Sequence, residues 1–208
     1  MTSVLIVCEG NVCRSPYVER VLRARLAAAD PGGFHVDSAG THASPGTPMF
    51  PRSAQAVTRD GGDPADFASR RLTEQILVGH DLVLTLERGQ RARVLDLAPG
   101  LLRRTFTLAE FDRLARPLLD GDLVGVGFWA DFPALLARNR IDTAPTTPTD
   151  DDITDPVRGD DLDFEAMRTR AAAAIDTITA CATRALPTDP GNAPADQKGD
   201  DRARTARP

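Results

Sequence analysis

Val4-Leu5-Ile6-Val7-Cys8-Glu9-Gly10-Asn11-Val12-Cys13-Arg14-Ser15-Pro16 is the stretch on which the fold turns. Val4 to Val7 is a short, continuous apolar run, the pattern of a central strand buried on both faces. Gly10 and Asn11 then break the strand. Beyond them apolar residues recur at Val18, Val21, Leu22, Leu26 and Ala29, which is helical spacing, with Arg20, Arg23 and Arg25 mostly outside the apolar face. Pro16 suits a helix's first turn, where its missing N–H costs nothing. Asp30-Pro31-Gly32-Gly33 stops the helix. Strand, tight loop and helix thus follow one another within thirty residues.

Further along, the alternation continues. A second strand is expected at Phe34 to Asp37, closed by a small-residue turn at Ser38-Ala39-Gly40. A helix is expected from Pro51 to Arg59, ending at Gly61-Gly62, then a third strand at Leu82-Val83-Leu84 and a helix from Glu87 to Leu97. Arg104 to Thr107 reads as a fourth strand. Residues 108 to 140 hold helical pieces, including Ala130 to Asn139, separated by the glycine-rich Gly121 to Gly127. The last helix spans Asp163 to Ala185, with Phe164, Met167, Ala171, Ala174, Ile178 and Cys181 on one face and acidic residues at its start, where they complement the helix dipole. Strands alternating with helices imply a single doubly wound α/β domain, a parallel sheet with helices on both faces. Ligands of such sheets bind beyond the carboxyl ends of the strands, so the loop after the first strand is the place to look for chemistry.

The 208 residues suffice for one domain with a proper core, here placed at 1–186; 41% hydrophobic and 26% charged residues are ordinary for a globular chain. From Pro187 onward the composition turns to Pro, Asp, Gly, Arg and Ala, which cannot bury enough apolar surface, so 187–208 reads as a disordered tail. No apolar run approaches the length of a membrane span, and Val4 to Val7 is too short for a signal peptide. Three cysteines do not make a disulfide framework, which points to a reducing cytoplasm. A net charge of −5 gives no reason to expect nucleic acid. The charge is concentrated: residues 142 to 163 hold eight aspartates against the single Arg158, a run whose ordinary reading is a solvated loop. No internal repeat is visible, and no cluster has metal-ligand spacing, so neither metal nor cofactor is expected.

Cys-x5-Arg is a loose pattern by itself; leaving a buried strand and entering a helix, it becomes specific. Backbone N–H groups converging at a helix N-terminus form an anion cradle, and Gly10 and Asn11 best tolerate the left-handed backbone that a cradle needs. The expected phosphate-binding residues are therefore Glu9, Gly10, Asn11, Val12, Cys13, Arg14 and Ser15. The same field would hold Cys8 as a thiolate nucleophile. Arg14 can grip two phosphoryl oxygens with its planar fork, as lysine could not. Ser15 can donate its hydroxyl to the Cys8 sulfur. Cys13 carries two readings of equal weight: inert packing, or a partner that protects Cys8 by a reversible disulfide. Cys181 and Trp129, the latter beside Phe128 and Phe132, are read as core. His35, His42 and His80 are assigned no chemistry.

Residues 4 to 16 resemble the signature of the low-molecular-weight protein tyrosine phosphatases, and two further stretches agree: Asp37-Ser38-Ala39-Gly40-Thr41, and Asp81-Leu82-Val83-Leu84-Thr85-Leu86-Glu87-Arg88. The resemblance runs from residue 4 to about 182, with an acidic, Pro/Thr-rich expansion around 142–154. It implies four parallel strands, an Asn11–Ser38 hydrogen bond that supports the cradle, and hydrolysis of a phosphorylated protein or small phosphomonoester through a cysteinyl-phosphate intermediate. It also implies a general acid in an Asp-Pro pair late in the chain. Asp155-Pro156 is the match, with Asp150, Asp151 and Asp152 close enough to compete for the role.

Departures from the family's pattern bear on substrate. Val157 and Arg158 stand where aromatic residues usually follow the Asp-Pro pair, and His42-Ala43-Ser44-Pro45 where another aromatic is common. A pocket without those walls loses stacking surface for a phenyl ring, and Glu9 places an acid at its mouth. Val12 replaces a threonine favoured by the related protein-arginine phosphatases. Two alternatives stand beside hydrolysis: a phosphate-binding regulator without turnover, and an arsenate reductase-like redox enzyme, for which the relay cysteines between Cys13 and Cys181 are missing.

Overall fold

The computed structural model describes residues 1–120, 128–138, 140 and 143–184. Its centre is β1 (Thr2–Cys8), whose residues from Val4 onward are all buried. The strand pairs in parallel with β2 (Phe34–Gly40) on one side and β3 (Leu82–Thr85) on the other, and β4 (Thr105–Thr107) pairs in parallel with β3. The sheet order is β2-β1-β3-β4. Side chains alternate across a strand, so Val4, Ile6 and Cys8 enter one apolar cluster while Leu5 and Val7 enter another. Both faces of β1 are covered, which is why its sequence is continuously apolar.

The first face is covered by α1 (Arg14–Ala29), α2 (Pro51–Arg59), α5 (Leu108–Ala115), α6 (Phe128–Arg138) and α7 (Asp161–Arg184); α3 (Glu74–Val78) and α4 (Arg88–Leu97) contribute Leu77 and Val94 to the second. This is the doubly wound α/β architecture expected. Trp129 packs edge-on against Phe34 and Phe132, beside the core as expected. No described helix is long and apolar enough to cross a membrane.

Two readings need correction, and one helix is added to those expected. Ser38-Ala39-Gly40 is not a turn but the end of β2, in register with Ile6, Val7 and Cys8. These residues are small because the strand end lies against the loop after β1: a Cβ on Gly40 would sit 2.5 Å from the Glu9 carbonyl oxygen and 2.8 Å from the Asn11 nitrogen. The short helix α3 was not foreseen, although Thr73 caps it by accepting a hydrogen bond from the Ile76 N–H.

The acidic run is also no free loop. Asp151 is buried and accepts hydrogen bonds of 2.9 and 3.1 Å from the Arg113 guanidinium. Asp152 accepts from the backbone N–H and the guanidinium of Arg88, Asp150 accepts from the Thr147 N–H and hydroxyl, and Arg170 donates to the Asp150 and Asp152 carbonyls. Arginines distributed along the chain convert a run of like charge into a pinned segment. Gly121 to Gly127, Asn139, Asp142 and the expected tail at 187–208 lie outside the described residues.

Candidate active site

At the carboxyl end of β1 the chain turns through Glu9 to Cys13 and enters α1 at Arg14. Asn11 holds the turn with φ 51°, a left-handed value that its short polar side chain tolerates better than most. Its buried side chain is fully engaged. Nδ2 donates to Ser15 Oγ (2.9 Å) and Ser38 Oγ (2.8 Å), and Oδ1 accepts from the Arg70 N–H (2.7 Å). The Asn11–Ser38 pair implied by the family resemblance is therefore present. Ser38 Oγ in turn donates to Glu19 Oε2 (2.5 Å), and Arg70 donates its guanidinium to the Ser38 carbonyl.

The loop's carbonyls are drawn outward: those of Cys8, Glu9 and Val12 accept from the N–H groups of Thr41, His42 and Phe50 at 2.7–2.9 Å. Among the described residues, the N–H groups of Gly10, Val12 and Cys13 donate to no protein acceptor, and the N-terminal end of α1 has no side-chain cap. Free amides and an uncapped helix end make a cationic concavity, suited to an anion.

Cys8 Sγ lies in this ring, 3.0 Å from Ser15 Oγ, and accepts a hydrogen bond of 3.2 Å from the Asn11 N–H. Both contacts hold the sulfur within the ring. Cys13 differs: burial pushes its thiol up to about 11, with the nearby Asp155 and Cys8 charges adding to the effect, although Ser53 donates to its sulfur. Cys13 is thereby held as the neutral thiol near neutrality.

Arg14 is fully buried. Nη1 donates to Glu87 Oε1 and to the Ile153 carbonyl (2.9 Å), and Nη2 donates to Asp155 Oδ2 (2.6 Å). Burial alone would lower its pKa, but the anionic partners Cys8, Asp155 and Glu87 outweigh burial and raise it. Its Nε is buried with no hydrogen-bond partner, a costly arrangement unless an acceptor reaches it. Asp155 Oδ1 also accepts from the Val157 N–H (3.1 Å), forming a local turn that orients the carboxylate.

Cys8, Glu9, Gly10, Val12, Cys13, His42, Asp155, Val157 and Arg158 line a cavity of about 440 Å³. Asn11, Arg14, Ser15 and Ser38 are buried side chains that support it from below. No Phe, Tyr or Trp lines it. Residues Cys8 to Ser15, Ser38 and Asp155 therefore converge, whereas the competing Asp150, Asp151 and Asp152 are tied elsewhere. Sequence reasoning missed three supports. Glu87 lay within a recognised stretch but was given no role, and Arg70 and Glu19 carried no local signal because their partners are remote in the chain.

Comparison with known proteins agrees with this geometry. The family model for low molecular weight phosphotyrosine protein phosphatase matches residues 3–120. The low molecular weight protein-tyrosine-phosphatase Etp of Escherichia coli K12 is 35% identical over 109 residues, covering 52% of this chain and 70% of that protein. Among solved structures, the low molecular weight protein tyrosine phosphatase of T. tengcongensis superposes with a TM-score of 0.63 at 22% identity, covering 86% of this chain and 97% of the other. The YwlE arginine phosphatase of Geobacillus stearothermophilus gives 0.59 at 22% identity, covering 86% and 91%. These superpositions show a shared fold. With the family model spanning more than half of the sequence, the chain belongs to the low molecular weight phosphotyrosine protein phosphatase family and is a phosphatase.

Proposed function

We propose that this phosphatase hydrolyses phosphate monoesters through a cysteinyl-phosphate intermediate, with Cys8 as nucleophile, Arg14 as the phosphoryl clamp and Asp155 as acid and then base. The observation that carries the reading is the surrounding of Cys8 Sγ, held between the Asn11 N–H and the Ser15 hydroxyl in a ring of unengaged amides. In the first step the Cys8 thiolate attacks phosphorus, an S–P bond forms and the P–O bond to the leaving group breaks. The loop amides and Arg14 hold the equatorial oxygens, with Arg14 Nε gaining the acceptor it lacks. Asp155 protonates the departing oxygen. In the second step Asp155 takes a proton from water, which attacks phosphorus and releases the sulfur; the Ser15 hydroxyl stabilises the departing thiolate.

Glu87 supports this by holding one arm of Arg14, so that the guanidinium is pre-oriented. The redox alternative needs further accessible cysteines; Cys181 is buried within the α7 core and Cys13 is held protonated. The substrate is a phosphorylated protein or a small phosphomonoester, and the three free cysteines suit a reducing compartment such as the cytoplasm. The test is turnover of an aryl phosphate: Cys8→Ser should abolish it and Arg14→Lys should impair it severely, since a lysine cannot replace the planar fork. Substantial activity in Cys8→Ser would overturn the mechanism.

A further inference from the structure

Arg158 is exposed on the rim of the cavity that holds Cys8. Four aspartates lie within five positions of it, yet each is occupied elsewhere. Asp155 accepts from Arg14 and the Val157 N–H, and Asp160 from the Leu162 and Asp163 N–H groups at the start of α7. Asp161 pairs with Arg52, and Asp163 accepts from the Asp160 N–H. Among the described residues, the Arg158 side chain makes no hydrogen bond or ion pair. An arginine that pairs with none of four neighbouring carboxylates and lines a phosphate-binding cavity is a cation offered to the ligand.

The rest of the rim restricts what that ligand is. Val12 and Val157 give aliphatic walls without an aromatic clamp. The other unpaired charge lining the cavity is Glu9, which also lines an adjoining trough of about 480 Å³ with Asp96 and Arg93, whereas Arg158 lines the first cavity alone. The rim is therefore polarised, with a free cation on the Asp155 loop and a free carboxylate toward the trough.

We infer that Arg158 is a specificity-determining residue that selects phosphate monoesters carrying a second anionic group beside the reacting phosphate; the inference rests on the phosphomonoesterase reading above. Two sources offer that chemistry: an acidic residue flanking a phosphorylated residue in a protein, and a carboxylate on a small phosphomonoester. A rim charge acts on substrate capture, so its effect belongs in kcat/KM and fades with added salt.

The experiment uses matched pairs. One arm compares phosphotyrosine peptides flanked by Asp with the same peptides flanked by Asn, and the other compares 2-phosphoglycolate with ethyl phosphate. Each pair is measured for kcat/KM on the wild type, Arg158→Gln and Arg158→Glu, and for binding on the same three backgrounds carrying Cys8→Ser. The anionic member of at least one pair should be favoured about two- to fivefold in the wild type, the range of an exposed ion pair. That advantage should vanish in Arg158→Gln and reverse in Arg158→Glu. The arm that responds identifies the source. Equal values within both pairs, or an advantage that survives Arg158→Gln, would overturn the inference. The binding measurement decides it even if turnover is absent, which would count against the catalytic reading alone.

Discussion

Asp155 Oδ2 accepts a 2.6 Å hydrogen bond from Arg14 Nη2, joining residues 141 positions apart in the chain. The contact brings the carboxylate of an otherwise distant loop over the cavity floor beside Cys8, and a two-residue turn onto the Val157 N–H fixes its second oxygen. Asp150, Asp151 and Asp152 are each held by other partners.

Asp155→Asn should therefore slow hydrolysis most for leaving groups of high pKa and least for nitrophenol-like ones. General acid catalysis contributes about 10²–10⁴-fold, so the loss should be large but incomplete. Asp150→Asn and Asp152→Asn should leave the leaving-group dependence unchanged. Asp151→Asn should instead act on stability, because it leaves the half-buried Arg113 without its bidentate partner. Steady-state kinetics on a series of substituted phenyl phosphates, with thermal melts alongside, checks both parts. A changed dependence in one of the neighbours would move the acid to that residue.

Gly40→Ala should damage the cradle although Gly40 carries no chemistry. The added Cβ would meet the Glu9 carbonyl and the Asn11 nitrogen, both backbone atoms that cannot swing away. Overpacking of this kind costs about 1–3 kcal/mol. Melting temperature and kcat on an aryl phosphate should both fall; an unchanged kcat would show that the loop does not depend on the end of β2.

Alkylation should separate the two neighbouring cysteines. With Cys13 pushed up to about 11 mainly by burial, iodoacetamide at neutral pH should label Cys8 and leave Cys13 as the thiol, by peptide mass mapping. Mild peroxide should distinguish the two readings of Cys13. A Cys8–Cys13 disulfide, with recovery by reductant that is lost in Cys13→Ser, would assign it a protective role. Equal recovery of both proteins would leave it a packing residue.

Asp37 should contribute to acid lability. The His80 imidazole, 3.7 Å away, lowers its pKa most, against a smaller opposing effect of burial, with Arg70 and the hydrogen-bonded His35 also lowering it. A carboxylate depressed in the folded state stabilises the protein above its unfolded pKa near 3.9 and loses that contribution as the pH falls further. Unfolding free energy measured by denaturant titration should therefore decline below about pH 4, and the decline should be shallower in Asp37→Asn. Identical pH profiles for the two proteins would contradict the assignment.

Much of the site was legible because the strand, loop and helix from Val4 to Leu26 lie in one short stretch, where the change from a continuous apolar run to helical spacing is direct. The same brevity misled at Ser38-Ala39-Gly40. Small residues suggest a turn, but here they answer the close approach of the loop after β1, which only the register of β2 reveals. The acidic run misled for another reason. Its pairing with Arg88 and Arg113 spans 64 and 38 positions, and no local pattern announces such a pair. Arg70 escaped notice likewise, since its link to Asn11 runs through its backbone N–H.

The phosphoenzyme itself gives the most direct test of the catalytic account. Wild type and Asp155→Asn should be mixed with an aryl phosphate, quenched within the first turnover, and digested for mass mapping. A phosphate adduct should appear on the peptide containing Cys8 and build up further in Asp155→Asn, where water is no longer activated. The adduct should be absent from Cys8→Ser. An active enzyme that shows no phosphorylated Cys8 at any quench time, or a phosphate adduct on another residue, would contradict the account.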